Sequence, residues 1–246
     1  MIFQSWLKYF FTAKRGGHGV HSPLVYKWVE WYTKEKKNIF LPTWTPANPE
    51  AKIIASEFGA GSKVQQPRTA SNYLKRIAWN PPQLKFLYSF LSKSGENWRV
   101  LELGTGGGSC TLMLDAHGKV DKVVSVDADT RFTSELGQHL SSKTKLENQL
   151  FSDYLAATTQ QFDLVILDGD HLGERVEDYV SQIVEGGMLE EGWIVLDDIR
   201  WSADMLKAWE KLRDSQAVSI SVDAGRTGYL YFGKRHTKET FRVYIA

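Results

Sequence analysis

Six side chains in this chain, with a run of glycines, have types and spacing suited to chemistry at one crevice. Glu102 stands two residues before a glycine run, Gly104, Gly106, Gly107 and Gly108, in the stretch R-V-L-E-L-G-T-G-G-G-S-C. A carboxylate there is placed to bind the ammonium of an amino acid, and glycines let the backbone pass close to a ligand. Asp127 follows V-V-S-V, one strand–helix unit later. An acid at the end of a second parallel strand accepts hydrogen bonds from ribose hydroxyls. Asp168 and His171 lie in D-G-D-H, and Asp197 and Asp198 form a pair further on. Acids at neighbouring strand ends repel unless a proton or cation intervenes, and hard divalent cations favour all-oxygen sites. Helix capping and solvated strand ends are the alternative for these three. Histidine, titrating near neutral pH, suits proton transfer.

The elements that must position these residues follow from pattern. Val100, Leu101 and Leu103 read as a buried parallel strand, and a helix follows from Ser109 to Ala116. Strands are expected at 99–103, 122–126, 146–151, 162–167 and 193–196. Helices are expected at 130–140, 173–184 and 203–215, with a short turn after Asp153. That alternation implies an α/β, Rossmann-like, doubly wound and mostly parallel sheet. Val218–Val222 and Tyr229–Gly233, joined through Asp223-Ala-Gly225, read as an antiparallel hairpin. Phe241–Ile245 offers one more edge strand, beyond an expected total of seven.

The stretch Arg99–Leu114 resembles motif I of class I S-adenosylmethionine-dependent methyltransferases, which end their sheet in such a hairpin. The resemblance covers roughly residues 83–234. It implies that Glu102, Gly104, Thr105, Gly106, Gly108 and Ser109 hold the methionine end of S-adenosyl-L-methionine. It assigns Asp127 and Ala128 to the ribose, Ser152 and Asp153 to the adenine, and Asp168 to the cofactor's edge. The last two strand ends are similar to metal-dependent O-methyltransferases of the catechol and caffeoyl-CoA type. Matched residue by residue, Asp168, Asp197 and Asp198 would hold Mg²⁺ or another divalent cation. Asp198 departs from the usual Asn, and His171 stands where that family has Lys. D-G-D-H followed by D-D also resembles sugar and macrolide O-methyltransferases that pair a metal with a histidine base. The implied activity is methylation of a small-molecule hydroxyl, with His171 and Asp168 as catalytic groups. Metal-independent N- or O-methylation and a non-catalytic cofactor fold are the rivals. An NAD-dependent oxidoreductase fits less well, because Ser109 occupies the third place of G-x-G-x-x-G.

Residues 1–80 stand apart. Ser22-Pro23 forms a helix start, with Leu24, Val25, Trp28, Val29, Trp31 and Tyr32 following at helical spacing. They read as a helical and loop extension ahead of a methyltransferase domain at 81–246, serving as a cap or a homodimer contact. His18 and His21, without Cys or nearby acids, read as part of a glycine-rich loop. F-G-A-G-S at 58–62 reads as loop. The chain has 246 residues and a net charge of +1, which gives no support for a nucleic-acid partner. Residues 1–40 nevertheless hold seven Lys or Arg against two Glu. A single cysteine, Cys110, points to a reducing cytoplasm, and no signal peptide or membrane-spanning run is seen.

Overall fold

The structure, a computed structural model, describes residues 1–53, 68–93, 97–234 and 237–245. The F-G-A-G-S loop lies outside them. The chain opens with helices α1 (Ile2–Thr12) and α2 (Pro23–Glu35), then a short antiparallel pair, β1 (Lys52–Ile53) and β2 (Arg68–Thr69). Helices α3 (Ala70–Ile77) and α4 (Pro81–Lys93) follow. The alternating series is then β3 (Trp98–Leu103), α5 (Ser109–Ala116), β4 (Val120–Val126), α6 (Thr133–Gly137), β5 (Thr144–Glu147), α7 (Phe151–Ala157), β6 (Leu164–Leu167), α8 (Gly173–Glu185), β7 (Gly192–Leu196) and α9 (Ala203–Asp214). It closes with β8 (Val218–Ala224), β9 (Thr227–Phe232) and β10 (Glu239–Arg242).

The large sheet has the order β10-β8-β9-β7-β6-β3-β4-β5. Strand β9 runs antiparallel to both neighbours, and the other pairings are parallel. This is the doubly wound sheet with terminal hairpin expected from sequence, with one strand more, because β10 pairs with β8 at the edge. From β3 the chain moves outward to β4 and β5, then returns to β6 on the other side of β3. The reversal opens a crevice at the carboxyl ends of β3 and β6, where ligands bind in such sheets.

Strand alternation divides the core into two layers. Val100, Val123, Ile166 and Val195 face a layer with α2, α4 and α5, whereas Leu101, Leu103, Val124, Val165 and Leu196 face one with α7, α8 and α9. Glu102 therefore shares a face with Val100 and points toward α5.

Four local expectations change. Helix α6 is only five residues long, because Thr130 to Phe132 are spent in the turn after β4. Strand β5 ends at Glu147, so Ser152 and Asp153 fall in the first turn of α7. Ile2–Thr12, for which no element was expected, is helix α1. Ser22 precedes α2 with Pro23 at its start, but its side chain makes no capping bond and its buried hydroxyl has no partner among the described residues.

The aromatic stripe of α2 is the centre of one core layer. The Trp28 ring lies 4.3 Å from Phe86 and 4.8 Å from Tyr229, centroid to centroid, and its indole N–H donates to the Phe86 carbonyl at 3.0 Å. Residue 28 thus packs on the hairpin two hundred residues later. Trp28→Ala should destabilise the protein by roughly 3–5 kcal/mol, the usual range for deleting a large buried aromatic. Urea unfolding would show it as a lower midpoint with unchanged slope. A loss under about 1 kcal/mol would mean that α2 adds little to the core.

Candidate active site

The glycine turn is built by close approach. Gly104 has φ +114, and a Cβ there would sit 2.1 Å from the Asp168 carbonyl oxygen. Only glycine lets the end of β3 pass this close to the end of β6. Its N–H donates to Val126 O at 2.9 Å, and the Asp168 N–H donates to Leu103 O at 2.8 Å, so three strand ends are tied at one point. Gly108, at φ +73, allows Leu136 to pack where a side chain would stand. Over the turn lie Leu74 and Ile77 of α3, the nearest atoms to a Cβ on Gly107. The Trp44 indole donates to Gly107 O at 2.8 Å. Ser109 accepts from the Trp79 backbone N–H at 3.2 Å. Residues from the first eighty thus line the glycine turn directly.

Glu102 is fully buried. Its Oε2 accepts from Thr111 Oγ1 at 2.6 Å and Ser125 Oγ at 2.5 Å, while Thr105 and Ser125 hydroxyls pair at 2.7 Å. Among the described residues its Oε1 has no N–H or O–H donor, and only the weakly donating Cys110 thiol lies beside the carboxyl. Burial pushes the carboxyl up to about 7, against the hydroxyl hydrogen bonds that lower it. An orphaned carboxylate oxygen beside a glycine turn fits a ligand that brings a cationic donor. Cys110, buried on the same helix, has a thiol pushed well up by burial and by the neighbouring Glu102. It is a packing residue rather than a nucleophile.

Asp127, at the end of β4, accepts from Gly106 N and Asp129 N, both at 2.8 Å. One bond goes to each oxygen, so each keeps a lone pair for a further donor. Burial raises its carboxyl and these two bonds lower it. Ala128 is half-buried beside it, and Asp129 is held by Arg131, whose guanidinium also meets Tyr73 of α3 at 2.9 Å. Ser152 and Asp153 are exposed on α7, with a 3.4 Å contact between them. In their expected place stands Phe151, which would be 3.0 Å from a Cβ on Gly169.

The structure brings Asp168, Asp197 and Asp198 to adjacent strand ends, yet gives each a separate partner. Asp168 accepts from the Trp79 indole. Asp197 is buried and accepts from Gln83 Nε2 at 2.8 Å, with Thr227 Oγ1 at 3.4 Å. Asp198 accepts from Arg226 Nε at 2.7 Å and pairs with its Nη2 at 2.5 Å. A resident divalent cation needs carboxylate oxygens converging on one point. Among the described residues no three His, Cys, Asp or Glu side chains form such a group. The donor set does not fit the expected cation, because a guanidinium already provides the positive charge. Burial, followed by repulsion from Asp197, raises Asp168 well above the carboxylate range. Burial, followed by Asp198, lifts Asp197 to about 6.

His171 lies across from Trp201, ring centroids 5.7 Å apart. Burial lowers its pKa, with Asp198 and Asp170 opposing and Arg226 assisting. This shift favours the neutral ring. Leu172 and Trp201 stand exposed at the same rim. Asp170 and Asp198 both adopt left-handed backbone, φ 50 and 51, which Asp tolerates better than most residues. His18 and His21 are both exposed, near the start of α2.

Sequence reasoning missed Trp79, Gln83 and Arg226. The first two precede β3 and the third sits in the hairpin turn, so no spacing links them to the acids they meet. A buried acid without a neighbouring base in sequence was the one available signal that such partners exist.

Residues 101–199 match the family model described as a methyltransferase domain. No curated protein matches the chain. Among the solved structures similar to it in fold are two methyltransferases. The O-methyltransferase TomG of Streptomyces achromogenes, in complex with SAM, is 19% identical over 64% of this chain and 82% of its own, with a TM-score of 0.51. An SAH-bound methyltransferase from Podospora anserina is 13% identical over 94% of each chain, with a TM-score of 0.54.

The raised acids set a pH dependence. A carboxyl with pKa 4.5 unfolded and about 7 folded binds protons more tightly in the native state. Its contribution to stability is then lost as pH rises from about 4.5 to 7, and is flat above. Each unit corresponds to about 1.4 kcal/mol, so the loss is on the order of a few kcal/mol. Urea midpoints should fall between pH 5 and 7.5, and Glu102→Gln should flatten part of that fall, leaving the share of Asp168 and Asp197. An identical pH slope in Glu102→Gln would contradict the assignment.

Proposed function

We propose that this chain is an S-adenosylmethionine-dependent methyltransferase that methylates a hydroxyl of a small molecule. The observation that carries this reading is the unpartnered oxygen of buried Glu102, set beside the glycine turn and Asp127 at the sheet's reversal point. S-adenosylmethionine supplies a methyl group on a sulfonium, ready for in-line displacement. Glu102, ionised by the approach of an ammonium, holds the amino-acid end. Gly104, Thr105, Gly106, Gly108 and Ser109 supply a side-chain-poor floor. Asp127, with a free lone pair on each oxygen, takes the ribose hydroxyls beside Ala128. Ser152 and Asp153, exposed on α7, leave the adenine end to Phe151 in their place.

His171 is the group for the acceptor's proton. A neutral imidazole accepts a proton from a bound hydroxyl as the oxygen attacks, and catalysis otherwise rests on positioning. Leu172 and Trp201 offer apolar surface beside it. Asp168, with its raised carboxyl, orients Trp79 and closes the floor of the site. Arg226 neutralises Asp198, so no step here draws on a divalent cation. Residues 1–80, through Trp44, Leu74, Ile77 and Trp79, are proposed to cover the cofactor site rather than to form a domain of their own.

Two measurements test this. In calorimetric titration with S-adenosylmethionine, Asp127→Ala should weaken binding by about 1.5–3 kcal/mol, the usual loss for hydrogen bonds to a charged group. Unchanged affinity with an intact melt would refute the ribose assignment. Against a panel of phenols and alcohols, His171→Ala should keep cofactor affinity and lower turnover by roughly 10²–10⁴-fold. Excess EDTA should leave wild-type turnover unchanged. Loss of turnover in EDTA, restored by Mg²⁺, would overturn the role given to Arg226.

A further inference from the structure

Helix α1 turns an aromatic face to solvent, and among the described residues only Phe10 of that face has partial ring cover, from Trp6, Tyr9 and Tyr244. Phe3, Leu7, Phe10 and Phe11 follow at i, i+4, i+7 and i+8, a single stripe about 100° wide. Phe3 is 73% exposed, Phe10 54% and Phe11 85%. The opposite face is locked down. Tyr9 is buried, and its hydroxyl donates to Val243 O at 2.8 Å. Arg200 donates from Nε to Ser5 Oγ at 3.0 Å, and its guanidinium lies 5.1 Å from the Trp6 ring centre and 5.2 Å from that of Tyr9. Arg200 is itself fixed by a buried two-point pair with Asp223. With its inner face anchored this way, α1 cannot roll to hide the phenylalanines.

We propose that this face docks on an anionic membrane surface. Charge selects that occupant. The first acid in the chain is Glu30, so residues 1–29 hold none. Lys8, Lys14 and Arg15 are exposed around the stripe, and none makes an ion pair among the described residues. A second copy on the same face would set these cations against their equals, whereas acidic lipid headgroups neutralise them. Apolar aromatics on one side and lysines at the flank are the composition of an interfacial helix. No helix among the described residues is long and apolar enough to cross a membrane, so the attachment is peripheral.

Flotation of the full chain, with its amino terminus untagged, tests this. It should rise with vesicles of mixed phosphatidylcholine and phosphatidylglycerol, stay down with phosphatidylcholine alone, and detach in high salt. Phe3→Ser, Phe10→Ser and Phe11→Ser together should lower the bound fraction roughly tenfold or more. Lys8→Glu with Lys14→Glu should abolish flotation. Phe3, Phe11, Lys8 and Lys14 are exposed and Phe10 half-exposed, so circular-dichroism melts should stay cooperative and S-adenosylmethionine affinity should match wild type. Failure to bind either vesicle, or equal binding to both, overturns the proposal. So does a wild-type dimer, by light scattering, that the triple phenylalanine variant converts to monomer, since it names a second copy as the occupant.

Discussion

A carboxylate held inside the protein with one oxygen unpartnered is the constraint around which the site is arranged. Glu102 reaches that position because strand alternation turns it toward α5. Once there it needs donors, and Thr111 and Ser125 supply two. Neither reaches Oε1. A buried acid in that state favours its proton, and a positively charged ligand relieves it.

The second constraint is steric. At Gly104 the backbones of β3 and β6 approach to a distance that excludes any side chain. That contact draws Asp168 in beside Glu102 and puts the ends of β3, β4 and β6 within hydrogen-bond reach of one another. The electrostatic cost falls on the acids, and the surroundings answer it individually. An indole serves Asp168, an amide Asp197 and a guanidinium Asp198. Similar acids in a related sequence pattern would suit a metal. Here the third partner is already a cation, and Asp198 is turned toward it by a left-handed backbone.

The amino-terminal region does two jobs with two faces of aromatic residues. Trp28 enters the core against Phe86 and Tyr229, so α2 is part of the fold's interior. Trp44 and Trp79 reach the glycine turn and Asp168. The phenylalanines of α1, by contrast, are presented outward by a helix clamped from behind through Arg200.

Much of this was determined by the sequence alone. The order of strands and helices follows from period-2 and 3.6 patterns, and the glycine turn from four glycines after a buried strand. Glu102, Asp127 and the three later acids were identifiable because each sits at the end of a strand. Local pattern is enough for these, since a strand's end and its neighbours are close in sequence. What only the tertiary structure decided is the state of those groups. Whether Asp198 meets a metal or an arginine depends on Arg226, which the hairpin brings in from 28 residues away. Whether Asp168 is open depends on Trp79, 89 residues earlier. Burial, which sets the protonation of Glu102, Asp168, Asp197 and His171, is a property of the packed layers and of no single segment. The short α6 escaped for the same reason: turn lengths are settled by contacts between distant parts of the chain.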